Sequence, residues 1–291
     1  MTSRVFRLHL PLALGLLGLI VSPFTWASDQ VLKPSLRNPF SMAYAPAQGQ
    51  FVQTAGLSYY KTFYSVRSLL LNSDANSRYG LLGYTLDYGL TDSTTLSVHQ
   101  VYAKQFQSNP YNLAQGRVGW RSPKFQISSL VPASGGLMVK PTFGVQFNPA
   151  TSSGLNYAFV SSDLIWSMQR ESRSVGFGFG LIHTEHKDID GRSDGVRLEG
   201  NFGVGRHHWK LRATRSRLSS LSSSLGVYDP SYYKTLEAEW AYQLGTKTWL
   251  SLGYLHETNN SRFVQTLGLL EYKNKRRHQQ VTASVKWTWG R

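Results

Sequence analysis

The chain has 291 residues, of which 41% are hydrophobic and only 16% charged, and its 31 Lys and Arg against 16 Asp and Glu give a formal charge of +15. Cysteine is absent, which excludes a disulfide-stapled scaffold and a lipid anchor attached through Cys. The excess of positive charge points to an anionic membrane surface or an acidic solute; with no recognition motif in the chain, nucleic acid is set aside.

In chain order, MTSRVFRLHLPLALGLLGLIVSPFTWA comes first. Arg4 and Arg7, the apolar run Leu10–Val21 and the small-residue site before Ser28 form the three-part pattern of a secretory signal peptide, so residues 1–27 are expected to be cleaved after export through the Sec pathway. Downstream there is no run of 18 apolar residues, so no spanning helix is expected. Residues 28–49 contain Pro34, Pro39 and Pro46 and have no strand period, which leaves two readings, a periplasmic arm or a plug in the barrel mouth.

From residue 50 onward the pattern runs by twos. In GLLGYTLDYGL, Leu82, Tyr84, Leu86, Tyr88 and Leu90 share one face, and after the turn Thr91–Ser93 the alternation resumes with Leu96, Val98 and Tyr102. Similar segments predict strands near 50–63, 79–90, 94–106, 113–121, 136–147, 155–169, 174–185, 194–204, 209–218, 231–244, 248–257 and 278–289. Short connections (Thr91–Ser93, Gln169–Arg173, Gly205–His208, Gly245–Lys247) alternate with longer ones (Tyr64–Arg78, Asn148–Gly154, Lys187–Ser193, Ser219–Pro230), the pattern of periplasmic turns and surface loops. Arg121–Gly135 breaks it, being long where a turn is due, which leaves Phe125–Val131 as extra periplasmic structure or an additional strand, and Phe263–Tyr272 is similarly ambiguous.

These features predict an all-β fold, a transmembrane antiparallel up-and-down β-barrel of about 12 strands over residues 50–291, the count bracketed between roughly 10 and 14. A secreted β-sandwich shares the alternation. It does not explain why Tyr84, Tyr88, Tyr102, Phe106, Trp166, Trp209, Trp240, Tyr242, Tyr254, Trp287 and Trp289 gather at strand ends, as bilayer interfaces select. The final segment, with Val281, Ala283, Val285, Trp287 and Trp289 on one face, resembles the C-terminal assembly signal of bacterial outer-membrane β-barrel proteins, although Gly290 and Arg291 extend past the aromatic. Within that class, TLDYGLTDSTTLSV resembles the early hairpin of the phenol-degradation-pathway transporter barrels. The resemblance implies the bacterial outer membrane, with its lipid, lipopolysaccharide and the barrel-assembly machinery as partners.

If leucines and aromatics face lipid, the opposite parity assigns Arg117, Arg121, Lys140, Arg197, Lys210, Arg212 and Lys286 to the lumen, with Asp87, Glu199, Glu237 and Glu239. Basic residues outnumber acids there, which predicts a narrow channel for small polar or anionic solutes unless the charges pair across strands and fill the interior. The run Lys273–His278 reads as a surface loop facing lipopolysaccharide phosphates or solvent. Two stretches carry residue types suited to catalysis or metal binding. His256, Thr258 and Asn260 share the outward parity and resemble the His-x-Ser-Asn-Gly pattern of outer-membrane lipases, but Thr replaces Ser and no Gly follows. His183, His186, Asp188 and Asp190 read as polar surface rather than a cation site. The chain is therefore read as non-enzymatic, with neither metal nor cofactor. A surface lipid hydrolase and a plugged structural or adhesive barrel are the alternatives.

Overall fold

A computed structural model describes residues 38–290 except 69–71, 108–118, 134–136, 148–154, 171–172, 187–190, 220, 224–225, 229 and 266–270. The two-residue alternation builds twelve antiparallel barrel strands. They are β1 (Gln50–Arg67), β2 (Asn72–Gly89), β3 (Thr94–Gln107), β4 (Lys124–Ser129), β5 (Leu137–Phe147) and β6 (Leu155–Arg170), followed by β7 (Arg173–His186), β8 (Gly191–Val204), β9 (His207–Leu218), β10 (Ser231–Gln243), β11 (Thr248–Gln265) and β12 (Glu271–Gly290). Each pairs with its neighbour in sequence, and β12 returns to pair with β1 from Gln50↔Gly290 to Arg67↔Lys273, so the sheet closes into an up-and-down barrel. Closure gives every strand two partners, the condition for sheet in hydrocarbon, where an unpaired edge would cost several kcal/mol per group.

The alternation sorts the two faces. Leu57, Leu82, Leu164, Phe179, Leu198, Leu211, Leu236 and Leu252 are outward and exposed, as a lipid-facing band requires. At the end with short turns this band meets aromatic stacks. Phe51 lies 4.2 Å from Trp289 and 4.6 Å from Tyr88 between ring centroids, and Phe202–Trp209 and Trp166–Phe177 continue the girdle.

The structure corrects the expected fourth strand. It is Lys124–Ser129 rather than 113–121; of the expected stretch the described residues are Gly119–Arg121, where Gly119 and Trp120 pair with Ala103 and Tyr102 and the Arg121 amide donates to the Val101 carbonyl (2.7 Å). Pro123 ends the extended stretch before it, and Lys124, Gln126 and Ser128 then alternate with Phe125 and Ile127. With β4 in place, the anomalous connection contains a strand, and after it Val131 and Pro132 pair back onto Val139 and Met138 of β5.

Several strands also run beyond their expected ends. Only residues 68–71 separate β1 from β2, and only 187–190 separate β7 from β8, where longer loops were expected. Likewise Lys273–His278 lies inside β12 and pairs with β1 and β11, so it is strand rather than loop. Apolar alternation marks the part of a strand in lipid, and polar residues carry the same ladder past it. The expected signal peptide, residues 1–27, lies outside the described residues.

Candidate permeation lumen

The lumen has two levels. At the short-turn end, residues 38–49 enter the barrel and are held from several sides. The Gly49 amide donates to the Gly89 carbonyl (2.9 Å) and the Gln48 amide to Asp92 Oδ1 (3.0 Å). Phe40 lies 5.8 Å from His208 and 6.4 Å from Trp249, with Lys286 Nζ 4.3 Å above its ring. Met42, Ala43 and Ala45 form a buried cluster with Leu130, Met138 and Ile165. Space for this segment comes from lumen-facing positions without side chains. A methyl added at Gly178 would overlap the Met42 side chain, and one at Gly89 the Ala47 carbonyl.

Beyond this segment lies a cavity of about 340 Å³ whose charged lining comes from β2, from β4 through β6, and from β8 and β9. Its charges are Lys124, Lys140, Arg197, Lys210 and Arg212 against Asp87, Asp163 and Glu199. Strand register explains how they meet. Asp163, Gly180 and Arg197 stand in one row across β6, β7 and β8. Arg197 reaches over the bare Gly180 to Asp163, with Nε and Nη2 donating to Oδ1 at 3.1 and 2.6 Å. Glu199 accepts from Lys210 (2.9 Å) and Arg212 (2.7 Å), and Arg212 also meets Glu237 (3.3 Å). Among the described residues no carboxylate comes within ion-pair distance of Lys124 or Lys140. Lys124 Nζ lies 4.5 Å over the Phe159 ring, and Lys140 stands opposite the already engaged Asp163. Five cations facing three acids leave the chamber positive.

Asp87, Lys140, Arg197, Glu199, Lys210, Arg212, Glu237, Glu239 and Lys286 all lie on the lumen parity of their strands. Arg121 stands outside the barrel strands and donates from Nη2 to the Tyr60 hydroxyl (3.0 Å), above a stack in which Tyr60 lies 4.6 Å from both Tyr79 and His278. Arg117 lies outside the described residues. Charges therefore do pair across strands, Glu199 with Arg212 and Arg197 with Asp163, but not all of them are matched.

Sequence reasoning missed Lys124 and Asp163. Lys124 fell in the misread connection. In DLIW the adjacent Leu164 and Ile165 are both apolar and blur the parity that would have assigned Asp163 inward.

The other candidates do not assemble. His256 faces outward, and among the described residues it hydrogen-bonds neither Thr258 nor Asn260. His183 pairs with Asp194 (2.6 Å) and Glu185 (3.0 Å), and His186 Nε2 meets Ser193 Oγ at 3.3 Å. Asp188 and Asp190 lie outside the described residues, among which no group of three acidic or imidazole side chains is arranged to hold a metal.

No protein-family model matches the chain, and no curated protein matches it. Solved structures do. The crystal structure of an outer membrane channel from Pseudomonas putida F1 aligns with a TM-score of 0.50 at 13% identity, covering 86% of this chain and 98% of that one. A Pseudomonas aeruginosa FadL homologue aligns at 0.40 and 10% identity over 86% and 92% of the two chains, and a KdgM porin at 0.37 and 9% over 78% and 98%. The closed twelve-strand cylinder, its aromatic girdle and the likeness to the Pseudomonas putida channel agree on one conclusion: the chain has the fold of the bacterial outer-membrane β-barrel proteins.

Proposed function

We propose that the protein is a narrow channel of the bacterial outer membrane that admits small anionic solutes. It is exported with cleavage of residues 1–27, inserted by the barrel-assembly machinery and surrounded by outer-membrane lipid. The observation that carries this reading is the charge balance of the chamber, five cations against three acids, in which Asp163 and Glu199 are engaged by Arg197, Arg212 and Lys210 while, among the described residues, Lys124 and Lys140 have no ion-pair partner. In a low-dielectric wall such a surplus concentrates anions and repels cations. Residues 38–49 occupy the short-turn end, which restricts the passage to small solutes.

Planar-bilayer recording across a salt gradient tests the reading. The wild type is expected to show discrete conductance steps and a reversal potential of anion-selective sign, and Lys124→Glu with Lys140→Glu is expected to invert that sign. Absence of conductance steps, or unchanged selectivity in the double variant, overturns it.

A further inference from the structure

The outer wall carries a second positive region, separate from the lumen. On β9, Arg215 and Arg217 share the outward parity of Leu211, and both are exposed. Tyr232 of β10 stands directly opposite Arg217, and the two guanidinium carbons lie 5.5 and 6.0 Å from its ring centroid. Register carries the positive row onward. Arg215 faces Lys234, and Lys234 faces Thr258, which in turn faces Arg277. One row toward the long-loop end, Asn260 stands between Tyr232 and Lys275. Five outward cations thus occupy neighbouring positions on β9, β10 and β12.

Among the described residues, the nearby acids Asp194 and Glu185 are already engaged. Asp194 stands opposite Arg217 in register, yet its carboxylate pairs with His183, which also holds Glu185. Among the described residues none of Arg215, Arg217 and Lys234 pairs with a carboxylate. Next to the two arginines runs an apolar groove of about 700 Å³, open on the wall, whose outward lining includes Val160, Leu181 and Val196. Leu181 and Val196 are 56% and 43% exposed. An apolar groove joined to unpaired guanidinium groups at the end of the lipid band is complementary to a molecule with an acyl chain and a phosphate. Arginine forks match phosphate oxygens in pairs, which a solvated lysine fringe does not.

We propose that this face binds lipopolysaccharide, with one acyl chain along Leu181 and Val196 and phosphates held by Arg215, Arg217 and Lys234. The width of the positive row, reaching to Arg277 and Lys275, favours a headgroup with more than one phosphate over a phospholipid with one. The assignment rests on placement in the outer membrane and not on conduction through the lumen, so failure of either reading leaves the other standing.

The test measures binding of purified, folded, detergent-solubilised protein to lipopolysaccharide and to its dephosphorylated form. Each cation near an anionic lipid surface contributes about fivefold in affinity, so Arg215→Ser, Arg217→Ser and Lys234→Ser together are expected to weaken binding on the order of a hundredfold. Lys104→Ser, an exposed cation on β3, is expected to leave binding unchanged, and Arg215→Lys with Arg217→Lys to restore part of it. Heat-modifiable gel migration verifies that each variant is folded. The proposal is overturned by equal binding of the dephosphorylated lipid, by undiminished binding in the triple variant, or by phosphatidylglycerol vesicles binding as tightly as lipopolysaccharide.

Discussion

Replacing Gly180 with Ala tests how the lumen charges are organised. The Asp163–Arg197 pair crosses above β7, and only the missing side chain of Gly180 makes the crossing feasible. A methyl there overlaps the Asp163 carboxylate and stands 3.4 Å from Arg197 Nε, so the pair must separate although both charges remain. The two side chains are 20% and 13% exposed, largely shielded, so their charge-assisted hydrogen bonds merit the range of about 1.5–3 kcal/mol each. Separation does not forfeit that whole sum. The adjoining cavity of about 340 Å³ has room for on the order of ten waters to rehydrate the freed groups. The net loss expected is about 2 kcal/mol. Guanidinium unfolding of the reconstituted barrel measures it, and bilayer selectivity supplies the control. Gly180→Ala conserves charge and should leave the reversal potential near wild type, whereas Asp163→Asn removes a negative charge and should make the channel more anion-selective. If Gly180→Ala unfolds at the wild-type midpoint while Asp163→Asn is destabilised, the pair does not depend on the bare position and the reasoning fails.

Two further outcomes follow from the lumen segment and the long-loop end. Gly178→Leu drives a side chain into the space of Met42; it should loosen residues 38–49 and raise single-channel conductance, read directly in planar bilayers. At the tip of the β1–β2 hairpin, a hydrogen bond from Arg67 holds the exposed Asp74 carboxyl below its ordinary pKa. Its folded value is depressed, so the contribution is present above the unfolded pKa of about 3.9 and is lost as pH falls through the lower folded value. Hydrogen-exchange protection near Val66 and Ser73, corrected for intrinsic rates, should therefore decline only in that acid window, and Asp74→Asn should abolish the change.

Legibility in the sequence followed how sharply side chains alternate. In β10, Leu236, Ala238 and Trp240 interleave with Glu237 and Glu239, and in β12 Val285 and Trp287 flank Lys286, so both faces were readable from the residues. The boundary of β4 was hidden by Pro123 and by a pattern only six residues long. The extensions of β1, β2, β11 and β12 were missed because past the bilayer both faces are polar while the hydrogen bonds persist. The place of residues 38–49 was illegible because an irregular segment has no period, and only Gly89 and Gly178, small where a filled barrel wants bulk, hinted at a neighbour. The cross-strand reach of Arg197 depends on register, which composition does not carry.

The seam between β1 and β12 has a kinetic consequence. It joins the barrel residues farthest apart in the chain, with all 18 residues of β1 matched to β12. By the logarithmic loop-closure rule, bringing such distant ends together costs about 5 kcal/mol of chain entropy before the first pair forms. High contact order of this kind makes ring completion late and slow. Until that moment the nascent sheet presents two raw edges to any passing strand, so the hazard for this protein is greatest just before it becomes a ring.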